Sequence, residues 1–448
     1  MARKTRHLLA AGLLAAGLQL SPAAAQVPGF PYCAWWVETT ATTANIAFPD
    51  SSAAYWTTPF QVTSDLRSIT VRGTYPETRY FSLNVYTNGG ASYSCGGVAS
   101  GLADFRIAPD PGSTNPFQQQ AAAGGGYTVT LAPGAAGTAN RIPFYDPAAC
   151  TPAPASGPIP EDVGFLILRA YLPQGGFGAV PLPEITLDYA DGHTVTLPRC
   201  GGAAPDAAAL PPGWQRRVRA LPAGEAPAQL SAGSQPCGRP GGAACPPSLT
   251  FFRPTESATG GLFPNVDNKY VGALVQPAPG RLVLVRGQAP SFPPGRQALP
   301  WNPSATQLRY WSLCSNVYRR PWPVVVDEVD GQEILGCAAD LDTRLDAEGR
   351  YTYVVSYPGD RPTEAALAAA GATWLPFSTE QPLARHLLIL RNMLGDGFPQ
   401  SVQNCAAGAD PASIAACAAS MGPYYPQATT CRAAVFERGG LAACLRDE

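Results

Sequence analysis

The chain has 448 residues, a formal net charge of −2 and only 14% charged residues. Nucleic-acid binding needs a clustered basic surface, so this composition argues against a nucleic-acid partner. The length suits two or three domains. The 46 glycines and 48 prolines favour many turns between short strands over a helical fold.

Residues 1–25 have the features of a signal peptide. Three basic residues near the start precede an apolar run over residues 8–20, which is too short to span a bilayer, and three alanines stand before Gln26. No later run approaches the length of a transmembrane helix. We therefore expect a secreted or periplasmic protein with no membrane span.

All 12 cysteines follow the predicted cleavage site, and an even number in an exported chain predicts a disulfide framework. The cysteines lie far apart without a C-x-x-C pair, and only His193 and His386 follow the signal peptide as imidazole ligands. We predict no metal site and no cofactor. Cys314 and Cys337 flank a predicted hairpin, and we expect them to form one disulfide, worth about 3 kcal/mol by the chain-entropy model.

The most informative stretch is RSITVRGTYPETRYFSLNVY, residues 67–86, which reads as a hairpin of two strands around a Gly-Thr-Tyr-Pro turn. A degraded copy spans residues 281–318. There VRG occurs again, and RYWSLCSNVY corresponds to RYFSLNVY of the first stretch. Similar blocks flank both copies in the same order. This pattern predicts a duplicated β domain, with copies at residues 26–200 and 257–400.

The remaining elements are taken in chain order. Strands are expected at Tyr127–Leu131, Phe165–Leu172 and Tyr351–Ser356, and hairpins around Asp191-Gly192 and Asp330-Gly331. Nothing of helical period interrupts them. The prediction is an all-β fold with two related antiparallel β-sandwich domains in tandem.

Two segments differ in composition from the sandwiches. Residues 201–256 read as a Pro/Ala/Gly-rich linker in which Cys237 and Cys245 could close a small loop. Residues 401–448 read as a disulfide-stapled, Cys-rich helical tail. Its helices are expected at Pro411–Met421, with Asp410 as N-cap, and at Cys431–Leu445.

Several motifs resemble known domains. FPNVDNKY followed by LVLVRG and LRYWSL is similar to bacterial exported domains of unknown function, the type numbered twelve-fifty-four. ATWLPF followed by HLLILRNML resembles the closing motif of their usual partner, the type numbered twelve-fourteen. The resemblance implies β-sandwich domains of exported bacterial proteins and carries no activity or catalytic residues. The first copy departs from the opening motif, with Asp50-Ser51-Ser52 in place of Asn265-Val266-Asp267.

No motif identifies a catalytic residue. The chain lacks G-x-S-x-G, and His193 and His386 are interpreted as structural. The acidic run DLDTRLDAEG, residues 340–349, could bind calcium but is more typical of a solvated turn.

Aromatic and arginine residues are the candidate ligand contacts. A stacking platform for sugars is one interpretation of the aromatics, and burial in the cores is the other. The repeated arginines could recognise a carboxylate or another anion, or form structural ion pairs with Asp50 or Asp267. Arg169 and Arg391 end apolar strands, and we expect each to be held by an acid of its own copy. The candidate ligand-binding residues are Trp35, Trp36, Arg79, Tyr80, Arg309 and Trp311.

The sequence favours a non-enzymatic protein that binds an extracellular or envelope ligand, a glycan being one candidate. The alternative is a hydrolase or lyase acting on an extracellular polymer. An enzyme would show convergent carboxylates or histidines in a concave site, whereas a binding protein would show a flat or grooved aromatic face.

Overall fold

A computed structural model describes residues 33–61, 65–87, 100–133, 139–145, 163–200, 248–254, 263–319 and 321–446. The predicted signal peptide lies outside these residues. So do most of the predicted linker, with Cys237 and Cys245, and the cysteines at 95 and 150.

The described residues of the first half contain ten strands: β1 (Val37–Thr39), β2 (Ala53–Gln61), β3 (Leu66–Thr74), β4 (Thr78–Thr87), β5 (Gly101–Ala103), β6 (Gly126–Pro133), β7 (Arg141–Tyr145), β8 (Val163–Pro173), β9 (Glu184–Tyr189) and β10 (Thr194–Thr196).

From residue 248 onwards, the part of the chain that the structure describes contains ten more strands and three α-helices: β11 (Asn268–Val275), β12 (Arg281–Gln288), β13 (Tyr310–Val317), β14 (Val326–Val329), β15 (Gln332–Leu335), β16 (Cys337–Ala339), β17 (Arg350–Ser356), α1 (Glu364–Ala369), β18 (Ala372–Pro376), β19 (His386–Met393), α2 (Pro411–Met421), β20 (Gln427–Arg432) and α3 (Ala433–Cys444).

The two halves are β-sandwiches with the same strand order. The first consists of an inner sheet, β1-β2-β8-β4-β5, and an outer sheet, β10-β9-β3-β6-β7. In the second, the inner sheet β11-β19-β13-β16 matches β2-β8-β4-β5, and the outer sheet β20-β12-β17-β18 matches β9-β3-β6-β7. In both outer sheets the last pair is parallel. The two VRG motifs lie on the equivalent strands β3 and β12. The predicted fold class is confirmed.

The expected hairpin between β3 and β4 is wrong. β3 belongs to the outer sheet and β4 to the inner sheet, so the chain crosses the sandwich between them. The connecting Tyr75 is buried between the sheets, where its hydroxyl donates to the carbonyl of Ile107 at 2.9 Å and its ring contacts Phe81 and Tyr127. A large buried side chain at this position holds the two strands in different layers. The two predicted Asp-Gly hairpins, β9–β10 and β14–β15, are confirmed.

The inner sheets of the two sandwiches pack against each other. Tyr80 and Tyr171 of the first sandwich share one buried cluster with Tyr310 and Met393 of the second. The central strands β8 and β19 are therefore covered on both faces, by their own core and by the other sandwich. Their consecutive apolar residues suit cover on both faces, and every residue of β19 is buried.

The tail is partly helical, as predicted, but it also completes a sheet. α2 spans Pro411–Met421, and the Asp410 carboxylate accepts from the backbone N–H groups of Ala412 and Ser413. Cys431, expected to begin a helix, lies instead on β20, which pairs with β12. Because β20 is short and mostly polar, its sequence carries no clear strand alternation. Disulfides join Cys405 to Cys417 and Cys431 to Cys444.

The predicted linker also ends earlier than expected. Phe251 is buried in the core of the second sandwich, and Phe252 pairs with Gly272 on β11. Its described end, residues 248–254, therefore belongs to the second sandwich.

Glycine in each VRG motif leaves room for a tyrosine ring of the neighbouring strand. A Cβ on Gly73 would lie 2.7 Å from Cζ of Tyr127, and a Cβ on Gly287 would lie 2.7 Å from Cζ of Tyr351. Both tyrosines are buried and cannot move away. We expect Gly287→Ala to lower the free energy of unfolding by about 1–3 kcal/mol, measured by urea denaturation. Gly178→Ala is the control, because its Cβ would meet nothing within 4 Å. Equal stability of the two variants would contradict this account.

Candidate functional site

The sandwiches exchange buried ion pairs across the interface between their inner sheets. Arg79 of the first sandwich donates to both carboxylate oxygens of Asp340 in the second, at 3.2 and 3.1 Å. Arg309 of the second lies 3.7 Å from Asp104 of the first. Each arginine also donates to the other's backbone carbonyl. All four charged side chains are excluded from solvent.

Burial dominates the electrostatics of these pairs. It raises the pKa of Asp104 and of Asp340 to about 6, against the opposing effect of Arg309 and Arg79. Burial also lowers the pKa of both guanidinium groups. The carboxylates accept backbone N–H groups as well, from Phe81 at 3.0 Å and from Trp311 at 3.2 Å. Such paired, solvent-excluded groups specify how the sandwiches dock and do not reach a substrate.

A second pair of exchanged contacts involves the loops that precede β2 and β11. Arg391 of the second sandwich donates to the carbonyl of Phe48 at 2.7 Å, and Arg169 of the first donates to the carbonyl of Phe263 at 2.5 Å. Phe48 and Phe263 both have a left-handed backbone, with φ of 56° and 53°. This conformation is unfavourable for a phenylalanine, and its presence in both loops shows that the docking geometry is repeated in detail.

The acids of these two loops, Asp50 and Asp267, also accept hydrogen bonds from residues of the other sandwich. Asp50 accepts from the hydroxyls of Tyr310 and Ser312 at 2.9 and 2.6 Å. Asp267 accepts from the hydroxyl of Tyr80 at 2.7 Å. Burial raises the pKa of Asp267, and the Tyr80 hydrogen bond opposes that rise.

The expectation that Arg169 and Arg391 pair with acids of their own copies is wrong. Arg391 lies 3.8 Å from Asp50 of the other sandwich. Arg169 donates to the Tyr86 hydroxyl, and no acid in the described part of the chain lies within ion-pair distance of it. The order of the motifs suggested that each arginine pairs within its own copy. Docking of the inner sheets instead places each arginine against a loop of the other copy.

The structure does not gather the candidate ligand-binding residues on one surface. Trp35 is buried in the first core, where its indole N–H donates to the carbonyl of Pro183, and Trp311 is buried in the second core. Arg79, Tyr80 and Arg309 do meet, but at the interface, without solvent exposure. A ligand could touch these three only if the sandwiches separated. Trp36 alone of the six is half-buried.

The two histidines have structural surroundings. His193 is exposed on the β9–β10 hairpin and stacks on Tyr189. His386 is buried; its Nε2 accepts from the backbone N–H of Ser378 at 3.1 Å, so Nδ1 donates to the carbonyl of Ala384 at 3.2 Å. Burial lowers the pKa of His386 to about 4.

The acidic run at residues 340–349 does not form a cation site. Asp340 is paired with Arg79, while the half-buried Asp346 and the exposed Glu348 bind Arg350. One group with metal-ligand geometry occurs among the described residues: Asp50, Cys314 and Cys337. Its cysteines form a disulfide, as predicted, and a disulfide does not offer the thiolates that a metal requires.

The outer sheet of the first sandwich presents a surface that the sequence analysis missed. Outward-facing hydroxyl residues from four adjacent strands form what we call the hydroxyl face. In register, Thr196 lies opposite Thr186, Thr186 opposite Thr70, and Thr70 opposite Thr130. Asp188 anchors this face by accepting from the hydroxyls of Ser68 and Thr70, at 2.9 and 3.0 Å. The residues of the hydroxyl face are Ser68, Thr70, Thr128, Thr130, Thr186, Thr194 and Thr196.

The equivalent surface of the second sandwich has a different character. Leu282, Leu284 and Val354 occupy the places of Ser68, Thr70 and Thr130. They are buried under α1 and α3, whose Leu367 and Phe436 join the same cluster. The hydroxyl face is instead half-buried to exposed. β3 alternates polar and apolar residues, whereas β12 carries consecutive apolar residues from Leu282 to Val285. This difference between the copies is the sequence signal for an open outer face in the first sandwich.

The comparisons with known proteins find solved structures that resemble this chain only at low sequence identity. No protein-family model and no curated protein matches the chain. An uncharacterised protein from Burkholderia cenocepacia aligns with 90% of this chain and 84% of its own, at 12% identity and a TM-score of 0.49. A protein from Vibrio parahaemolyticus aligns with 79% and 87%, at 11% identity and a TM-score of 0.34. Neither similarity carries an argument about function.

The disulfides bear on the location of the protein. Four disulfides join described residues, including Cys33 to Cys200, and such bonds are typical of proteins outside the cytoplasm. No helix in the described ranges is long and apolar enough to cross a membrane.

Proposed function

We propose that this chain is a secreted or periplasmic binding protein for a hydroxyl-rich extracellular or envelope ligand, such as a glycan, and that the hydroxyl face holds that ligand. The observation that carries the proposal is the contrast between the two outer sheets. The same positions are apolar and helix-covered in the second sandwich, yet hydroxyl-bearing and accessible in the first.

The chemistry of the hydroxyl face suits a sugar chain. A threonine hydroxyl both donates and accepts, as a sugar hydroxyl does. Adjacent strands repeat at about 4.8 Å, so the row from Thr196 to Thr130 places hydroxyls at short, regular intervals. The Asp188 carboxylate, oriented by Ser68 and Thr70, adds an acceptor that forms stronger hydrogen bonds than a neutral oxygen.

The alternative of a polymer-degrading enzyme has less support. Glycoside hydrolysis needs two carboxyl groups flanking a bound substrate. Asp104 and Asp340, whose raised pKa values would suit acid catalysis, are sealed between the sandwiches.

We also propose that the sandwiches arose by duplication and belong with the exported domains that their motifs resemble. The equivalent strand orders and the matched left-handed phenylalanines support duplication.

Co-sedimentation with insoluble chitin, cellulose and purified peptidoglycan tests the binding proposal. We expect the wild-type chain to bind at least one of them, and Thr130→Glu with Thr186→Glu to weaken that binding by about tenfold or more, roughly 1.4 kcal/mol. Thr430→Glu is the matched control, because Thr430 is an exposed strand threonine of the second sandwich. Equal binding by the face variant and the wild type, or no binding to any of the three, would reject the proposal.

A further inference from the structure

We propose that the Cys314–Cys337 disulfide is a thiol–disulfide exchange site, whose reaction partner is a dithiol protein or small dithiol of the compartment. This proposal does not depend on the binding function. It rests on the position of the bond in the sheet, on the exposure of one sulfur-bearing residue and on its neighbours at the interface.

The bond joins residues that lie directly opposite each other on neighbouring antiparallel strands, β13 and β16. Their Cα atoms are 4.0 Å apart, closer than the roughly 4.4–6.8 Å that disulfides usually span. In the bond between Cys33 and Cys200 the Cα atoms are 5.1 Å apart, within that range. A bond confined by the sheet to a short Cα separation is easier to reduce than one without that constraint.

The first sandwich shows that this strand pairing does not need a disulfide. The equivalent position pairs Asn84 of β4 with Gly101 of β5. Asp104, directly after β5, nevertheless pairs with Arg309. Asp340, directly after β16, pairs with Arg79 in the same way. The strand pairing and the adjoining ion pair therefore form in the first sandwich without a disulfide at this position.

The neighbours determine which sulfur reacts. Cys314 is fully buried, whereas Cys337 is half-buried, so the incoming thiolate attacks Cys337. The Cys337–Cys314 bond breaks, and its electron pair leaves on the sulfur of Cys314. Asp50 lies within 4.8 Å of both sulfurs. Burial beside this carboxylate disfavours a thiolate on Cys314 and so slows its departure, and the short Cα separation has to outweigh that effect.

The second thiol of the reductant completes the exchange. It attacks its own partner sulfur in the mixed disulfide and releases Cys337. Two electrons and two protons pass from the dithiol to the chain, which gains two thiols while the dithiol becomes a disulfide.

The exchange site adjoins the contacts that dock the sandwiches. The backbone N–H of Ser51 donates to the sulfur of Cys337 at 3.3 Å, next to Asp50. Three residues after Cys337, Asp340 holds Arg79. The bond therefore lies beside two of the contacts that dock the sandwiches.

A dithiothreitol titration of the folded chain, with alkylation of free thiols and peptide mass mapping, tests the proposal. We expect Cys314 and Cys337 to be labelled at about tenfold lower reductant than Cys33 and Cys200, a difference of roughly 30 mV in reduction potential. Cys33 and Cys200 are the control, because they are also half-buried. Near-UV circular dichroism recorded at each point should remain native while the first pair is labelled.

A variant that carries the residue types of the first sandwich at both cysteine positions tests whether folding needs the bond. Cys314→Asn with Cys337→Gly should retain the native near-UV spectrum, as the Asn84–Gly101 pair implies. A variant that loses this spectrum would show that the bond is a structural staple. Labelling of the pair together with or after Cys33 and Cys200, or only as the spectrum collapses, would also overturn the proposal.

Discussion

Replacing Arg79 by Met should lower the free energy of unfolding by about 3–5 kcal/mol, the cost of leaving one partner of a buried ion pair alone. Arg79 and Asp340 are both excluded from solvent, and the guanidinium contacts both carboxylate oxygens. Without Arg79 the Asp340 carboxylate would stay buried beside apolar side chains with only backbone donors. Urea denaturation at neutral pH measures the change.

Two further variants distinguish charge burial from lost packing. Arg79→Met combined with Asp340→Asn should recover part of the loss, because no charge then remains buried. Arg344→Met removes an exposed ion pair with Glu364 and should cost less than about 1 kcal/mol. A loss in Arg79→Met no larger than that in Arg344→Met would show that the Arg79–Asp340 pair contributes little to docking.

Acid should destabilise the protein through His386. Its pKa is about 4 in the folded chain and about 6.5 when unfolded. Between these values the unfolded chain binds more protons, so stability is complete above pH 6.5 and falls as the pH drops towards 4. The full effect is about 3 kcal/mol, from roughly 1.4 kcal/mol per pKa unit. Urea denaturation at a series of pH values measures it.

The comparison with His386→Gln isolates this contribution. Asp104 and Asp340, with raised pKa values of about 6, act in the opposite direction, since the folded chain binds more protons than the unfolded chain between pH 6 and about 3.8. The wild-type curve alone therefore mixes both effects. The difference in the free energy of unfolding between wild type and His386→Gln should shift by about 3 kcal/mol in favour of the variant as the pH falls from 6.5 to 4. A gap independent of pH would mean that the folded protein accommodates a protonated His386.

Local patterns predicted the strands, the Asp-Gly hairpins and the Cys314–Cys337 bond because each depends on residues close in sequence. The layer assignment of β3 and β4 depends on where Tyr75 is buried, which its neighbours in sequence do not specify. The sequence did not predict β20 for a related reason. Its pairing with β12 makes it a strand, and its own polar residues show no strand pattern.

The candidate site was less predictable than the fold. Arg79 and Arg309 were identified from their repetition and Tyr80 from its aromatic ring, but both features are equally expected of a docking surface and of a binding surface. The hydroxyl face carries no motif, because single threonines in strands are common. It becomes visible when Thr70 and Leu284 are placed at equivalent positions of two sheets.

The exchange of ion pairs between the sandwiches has a consequence for how the chain is made. Synthesis runs from the N-terminus, so the first sandwich is complete before the second exists. Until then Arg79, Asp104 and Arg169 lie on an exposed inner sheet whose partners, Asp340, Arg309 and the carbonyl of Phe263, have not been synthesised. The first half alone thus presents a broad sheet whose charged groups lack the partners that the second half supplies.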